Sequence, residues 1–247
     1  AKVRGKKKMA HHIETQYPDL ITYHSVPGDP QKYELKKVRF LQQIPGQEGV
    51  FIAISDGTHL LRYSVNKGIM TVEQVSTIST LTPSNFTLDK SGNIVLPTRN
   101  NQLLIMDTVS FEIIRIVSLP ENLLLGQLTW LPKRNCFVAG HNWDIVFLDE
   151  DFKLIQQIQA EDGAFLPKIH PDERFLAFHS YDQVEYFNLY RLSDELEITF
   201  TETFFKDWEN SSSGFAFNGN EFAVSFPKTL EYYRLPNNEP EKLWEID

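Results

Sequence analysis

The chain has 247 residues, 41% of them apolar and 23% charged, with 18 Phe, 9 Tyr and 4 Trp. That suffices for a core without disulfide or metal staples and is too aromatic for a disordered chain. The net charge is -9, but Lys2, Arg4, Lys6, Lys7 and Lys8 supply +5 within eight residues, leaving 19 basic against 33 acidic groups, or -14, in the remainder. Such a body repels nucleic acid and favours protein partners with basic surfaces. No apolar run approaches the roughly 18 residues of a membrane-spanning helix, so no membrane association is expected. The single cysteine, Cys136, sits in an apolar run and points to a reducing, cytoplasmic setting.

Residues 1–12 form a basic tail, and Met9-Ala10-His11-His12 reads as the stub of an expression tag. The expected domain runs from 13 to 247. Residues 18–37 hold two apolar stretches, LITYHSV from Leu20 and KYELKKV from Lys32, joined by Pro27-Gly28-Asp29-Pro30. They read as the third and fourth strands of a partial unit. Five full units follow, at about 38–79, 80–126, 127–164, 165–210 and 211–247. Their first turns are PGQEG from Pro45, DKSGN from Asp89, PKRN from Pro132, HPDER from His170 and FNGN from Phe217. After each comes a short apolar strand: VFIAIS, NIVLPT, CFVAGH, RFLAFHS and EFAVSF. Runs of this length, bounded by turn residues, suit strands buried on both faces. Ala53, Ala139, Ala177 and Ala223 recur in them, as expected of a small position where sheets approach closely.

Third strands are predicted at LLRYSV, QLLIMDT, DIVFLDE, VEYFNLY and LEYYRL, and fourth strands at TVEQVS, IIRIVS, KLIQQIQ, LEITFTE and EKLWEI. Connections such as Asn66-Lys67-Gly68, Asp149-Glu150-Asp151 and Ser193-Asp194-Glu195 carry hairpin residues. Four antiparallel strands repeated about every 43 residues make a β-propeller blade, because one such sheet cannot bury both of its faces alone. With His170-Pro171-Asp172-Glu173-Arg174-Phe175-Leu176-Ala177 and Asn101–Asp107 as its motifs, the chain resembles the WD40/YVTN-like β-propeller superfamily from about residue 18 to 247. Trp143-Asp144 precedes a third strand rather than ending one, and Gly140-His141 follows a second strand, so no specific subfamily is implied. The expected fold is an all-β propeller with six or seven blades in the intact protein. Since 211–247 ends in a fourth strand, either the closing blade is irregular or the sequence belongs to a longer chain, and the second is favoured.

No catalytic pattern emerges. The seven histidines show no zinc-ligand spacing, Gly-x-Ser-x-Gly and phosphate-cradling glycine loops are absent, and the acidic runs lack calcium-loop spacing. No enzyme activity, metal or cofactor is expected. His141 and His179 are expected in loops after second strands, His170 in a structural turn, and Cys136 as inert packing. Aromatic residues in connections are the best functional signal. Trp208 and Asp207, in the connection between units four and five, fall on the same rim as His141, Trp143, Arg99 and Tyr181. Trp, Tyr and Arg dominate desolvated protein interfaces, so these six residues are the expected partner-binding set. Against this stands the possibility that each tryptophan folds back as a lid on its own blade. Trp130 and Trp244, inside strands, are expected in the core. The sequence therefore reads as a non-catalytic interaction module or scaffold subunit; the alternative is a propeller hydrolase or lyase acting on a small molecule or sugar at the central channel.

Overall fold

The computed structural model describes residues 23–25, 38–55, 59–67, 69–78, 86–98, 101–121, 123, 125, 127–141, 143–160, 165–182, 184–204, 214–226, 228–235 and 240–246. Among them are 21 strands and no helix. Five consecutive antiparallel sheets are the four-stranded blades of a β-propeller. The chain divides into two compact units, Ala1–Ser118 and Leu119–Asp247, which hold two and three blades respectively.

In the first unit, blade one is built from β2 (Val38–Gln43), β3 (Val50–Ser55), β4 (His59–Asn66) and β5 (Ile69–Ile78). A short strand, β1 (Tyr23–Ser25), adds to its outer edge, pairing with Ser76–Ile78 of β5. The other residues of the expected partial blade, and the basic tail, lie outside the described residues. Blade two comprises β6 (Thr87–Leu88), β7 (Ile94–Pro97), β8 (Gln102–Met106) and β9 (Ile113–Ser118). Ile52, Ile54 and Leu60 of blade one meet Ile94, Leu96, Leu104 and Met106 of blade two in one core. Arg62 ties these blades outside that core. Its guanidinium donates to Glu73 at 2.8 Å, to Gln47 Oε1 at 3.1 Å and to the Thr108 carbonyl at 3.1 Å.

The second unit holds blade three, β10 (Leu128–Leu131), β11 (Cys136–His141), β12 (Asp144–Leu148) and β13 (Leu154–Gln159). Blade four follows with β14 (Phe165–Ile169), β15 (Phe175–Asp182), β16 (Val184–Leu192) and β17 (Ile198–Phe204). Blade five is β18 (Gly214–Asn218), β19 (Glu221–Ser225), β20 (Leu230–Arg234) and β21 (Glu241–Ile246). Val138, Ile145 and Phe147 of blade three pack on Leu176, Phe178 and Tyr190 of blade four. The other face of blade four, with Phe175, Ala177, Phe187 and Leu189, packs on Phe215, Phe222 and Val224 of blade five. Alternating side chains thus feed two different seams from one strand.

The recurring alanines do not occupy one equivalent position. Ala53 clusters with Leu61 and Tyr63, on the face of β3 opposite Ile52 and Ile54. Ala177 lies in the seam toward blade five, and Ala223 is half-buried on the face turned away from it. First turns of unequal length shift the parity of the second strand, and a one-residue shift moves a side chain to the opposite face.

Two local devices repeat across the blades. Between third and fourth strands, Asp107, Asp149 and Ser193 each accept two backbone N–H bonds from their own turn, while Phe111, Phe152 and Leu196 adopt positive φ with buried side chains. Burial of the ring or isobutyl group offsets the left-handed strain. In every blade the fourth strand also carries a bulge against the third, skipping Glu73, Ile114, Ile155, Thr199 and Leu243 in turn. The extra residue bends the outer strand and sharpens its twist.

Candidate functional site

Within each blade, the second-to-third hairpin and the connection to the next blade open at one end of the sheet; the other two turns open at the opposite end. Trp143 stands at the first end of blade three. His141 pairs with Asp144, so only positions 142 and 143 separate β11 from β12. The Trp143 carbonyl accepts the Ala160 amide at 2.6 Å, just past the end of β13. Asp144 Oδ2 accepts Gln157 Nε2 at 2.6 Å on the neighbouring strand. The backbone beneath the indole is therefore fixed on three sides, yet the residue is 53% exposed. More than half of the Trp143 surface is thus open to solvent.

Two other members of the expected set are placed differently from the sequence reading. β15 runs on to Asp182, so His179 and Tyr181 belong to the strand rather than a loop, paired with Phe187 and Glu185. Backbone pairing with β16 carries the ladder through them as far as Asp182 and Val184, and Tyr181 lies near the hairpin tip of blade four. His141 is likewise the last residue of a strand. Arg99, Asp207 and Trp208 lie outside the described residues. Trp244 corrects an expectation: it is 41% exposed, stacked on Tyr232 at 4.8 Å on the outer strand of blade five. Position within a strand did not bury it, because an outer strand has one neighbour only. Trp130 is half-buried against Phe137, 4.7 Å between ring centroids.

The opposite end of the second unit is built around Glu173, which sequence reasoning passed over as part of a turn. Glu173 is buried, has φ +62° and points its carboxylate into the first turn of blade three. There it accepts the Lys133 amide at 3.0 and 3.1 Å and the Arg134 amide at 3.1 Å. Arg134 answers by donating Nε to the Glu173 carbonyl and Nη1 to the Ser193 carbonyl at 2.8 Å. A cavity of about 340 Å³ lies beside this clamp, lined by Lys133, Arg134, Arg174, Asp172 and Asp194 among others. Burial raises the Asp172 carboxyl, but bonds from the Arg174 amide and side chain and from His170 outweigh it and hold it below the usual range. Cys136 forms part of the lining; burial pushes its thiol up to about 11, which leaves it protonated and unreactive at neutral pH. His170 is buried, with Nδ1 on Asp172 and ring edges against Phe175 and Phe217, a structural position. Within this cavity Arg174 pairs with Asp172, and Arg134 belongs to the clamp.

Among the described residues, no three His, Cys, Asp or Glu side chains are grouped to hold a metal ion, and no helix is long and apolar enough to cross a membrane. No protein-family model matches the chain, and no curated protein sequence matches it at a significant level.

Proposed function

We propose that this chain is a non-catalytic protein-interaction module, WD40/YVTN-like in its repeat, that presents a loop-bearing blade end to a cytoplasmic protein partner with a basic surface. The observation that carries this reading is Trp143: an exposed indole on a hairpin whose backbone is held by His141, Asp144 and Ala160 pairing. Such a side chain offers a large apolar contact at low entropic cost, because only its own two torsions remain to be ordered on binding. Tyr181, at the corresponding end of blade four, belongs to the same proposed surface, and Arg99, Asp207 and Trp208 are proposed as partner-binding residues on their sequence alone. The acidic balance of the body supports a basic partner through electrostatic steering.

The test is affinity capture of the tagged protein from its native cytosol, run in parallel for wild type, Trp143→Ala and Trp208→Ala. A stoichiometric protein that is recovered with wild type and lost with Trp143→Ala, at unchanged thermal stability, supports the reading. Equal recovery with all three proteins overturns the anchor assignment. A partner-free monomer carrying a metal or small molecule overturns the interaction reading in favour of an enzyme.

A further inference from the structure

The cavity between the turns of blades three and four, at the end opposite Trp143, holds about 340 Å³, the lower end of the range for small-molecule sites. Part of its lining is apolar. Cys136 and Leu196 contribute from the interior, and Ile155 joins them because the bulge in β13 leaves it unmatched between Leu154 and Gln156. Arg134 crosses the seam above this lining. Its Nε donates to the Glu173 carbonyl, and its Nη1 to the carbonyls of Ser193 and Asp194 at 2.8 and 3.4 Å. All of these partners are neutral, so the guanidinium is pinned with no carboxylate in contact, and among the described residues its Nη2 donors are unused. Lys133 lines the same cavity, with its backbone held by Glu173. Neither the Lys133 ammonium nor the Asp194 carboxylate enters a bond or ion pair among the described residues. Arg174, already paired with Asp172, closes the wall without offering charge.

We propose that this cavity binds a free α-amino acid with an aliphatic side chain. Arg134 and Lys133 receive the α-carboxylate, Asp194 receives the α-ammonium, and the side chain lies against Ile155, Leu196 and Cys136. Charge-assisted bonds of this kind are the strong ones, and a guanidinium already pinned on carbonyls loses little freedom when it makes one more. The bond from Arg134 to the Asp194 backbone sets the cationic group beside the anionic one, the arrangement that adjacent ammonium and carboxylate groups require. A fatty acid or a peptide C-terminus answers the two basic residues but leaves Asp194 without a cation, so the site discriminates against both. This site is separate from the Trp143 end and independent of any protein bound there.

Calorimetric titration of the full chain with L-leucine tests the proposal. One saturable site per chain is expected, with a dissociation constant on the order of 0.1–1 mM for so small a ligand. Asp194→Asn keeps the backbone carbonyl that Arg134 uses and raises that constant about tenfold, the loss typical of a charged hydrogen-bond partner. Lys133→Gln keeps the amide bonds to Glu173 and also weakens binding. Both positions are exposed, and thermal unfolding confirms that the variants fold. On the unaltered protein, glycine, which has no aliphatic group, and N-acetyl-leucine, which has no ammonium, each bind more weakly than leucine. Absence of saturable leucine binding overturns the proposal, as does leucine binding indifferent to Asp194→Asn. N-acetyl-leucine bound as tightly as leucine also overturns it, and points to a peptide C-terminus instead.

Discussion

Glu173 offers the sharpest perturbation in the fold. Its carboxylate accepts two backbone amides of the neighbouring blade, and its own backbone sits at φ +62°, where a side chain is strained. Glu173→Ala removes the acceptor and keeps the strain. With charge-assisted bonds to two amides lost and those donors left in a partly buried turn, the cost is about 3 kcal/mol. Glu173→Gly loses the same bonds but relieves the left-handed backbone, recovering about 1 kcal/mol. Blades one, two and five carry glycine at positive φ, Gly49, Gly92 and Gly219, in the corresponding turn, so the backbone there accepts it. Urea unfolding of the three proteins, compared through midpoint and slope, measures both terms. The expected order of stability is wild type, then Gly, then Ala. A Gly variant as stable as wild type would refute the clamp, and Ala equal to Gly would refute the strain.

Three further outcomes follow from local geometry. Gly49→Ala is expected to cost about 2 kcal/mol, combining positive φ with a Cβ placed 2.6 Å from the Val65 carbonyl oxygen; a shift in urea midpoint reads it. Bonds from the Ser110 amide, with lesser help from Val109 and Arg62 against burial, hold the Asp107 carboxyl below the ordinary 3.8. A depressed folded value means that the stabilisation is present above the unfolded pKa and is lost as pH falls through the folded one. Acid titration of stability should therefore lose part of its slope below about pH 4 in Asp107→Asn, and an unchanged slope would count against the carboxylate. Cys136, with its thiol pushed to about 11, should resist iodoacetamide at neutral pH in the folded chain and react promptly in urea, as mass spectrometry of the intact protein can follow.

Much of this architecture is legible in the sequence. Turn residues such as Asp89, Asp149 and Ser193 and the apolar runs between them mark strand ends directly, because the chemistry that ends a strand is local. The Trp143 hairpin is legible for the same reason: a polar, aromatic dipeptide between two apolar strands has no interior to enter. What escapes is whatever depends on a second segment. The Glu173 clamp joins residues 40 positions apart, and nothing in HPDER tells a capping carboxylate from a solvated one. The faces of Ala177 and Ala223 depend on turn length through parity, which composition does not report. Trp244 and Phe222 belong to one sheet and both carry large aromatic rings, yet one is exposed and the other buried, because Phe222 faces the seam with blade four while Trp244 lies on the outermost strand.

The bulge repeated in all five outer strands bears on how the protein behaves among its own copies. An unpaired strand edge is a template on which further strands can grow, and a regular one invites fibrils. Here each edge is broken by an unmatched residue, so an incoming strand finds only short stretches of aligned donors and acceptors. β5, ten residues long, is the outer strand seen to carry an addition, and Tyr23–Ser25 pairs only with Ser76–Ile78, beyond the break at Glu73. A repeat unit copied with its flaw in place thus carries its own protection against ladder growth.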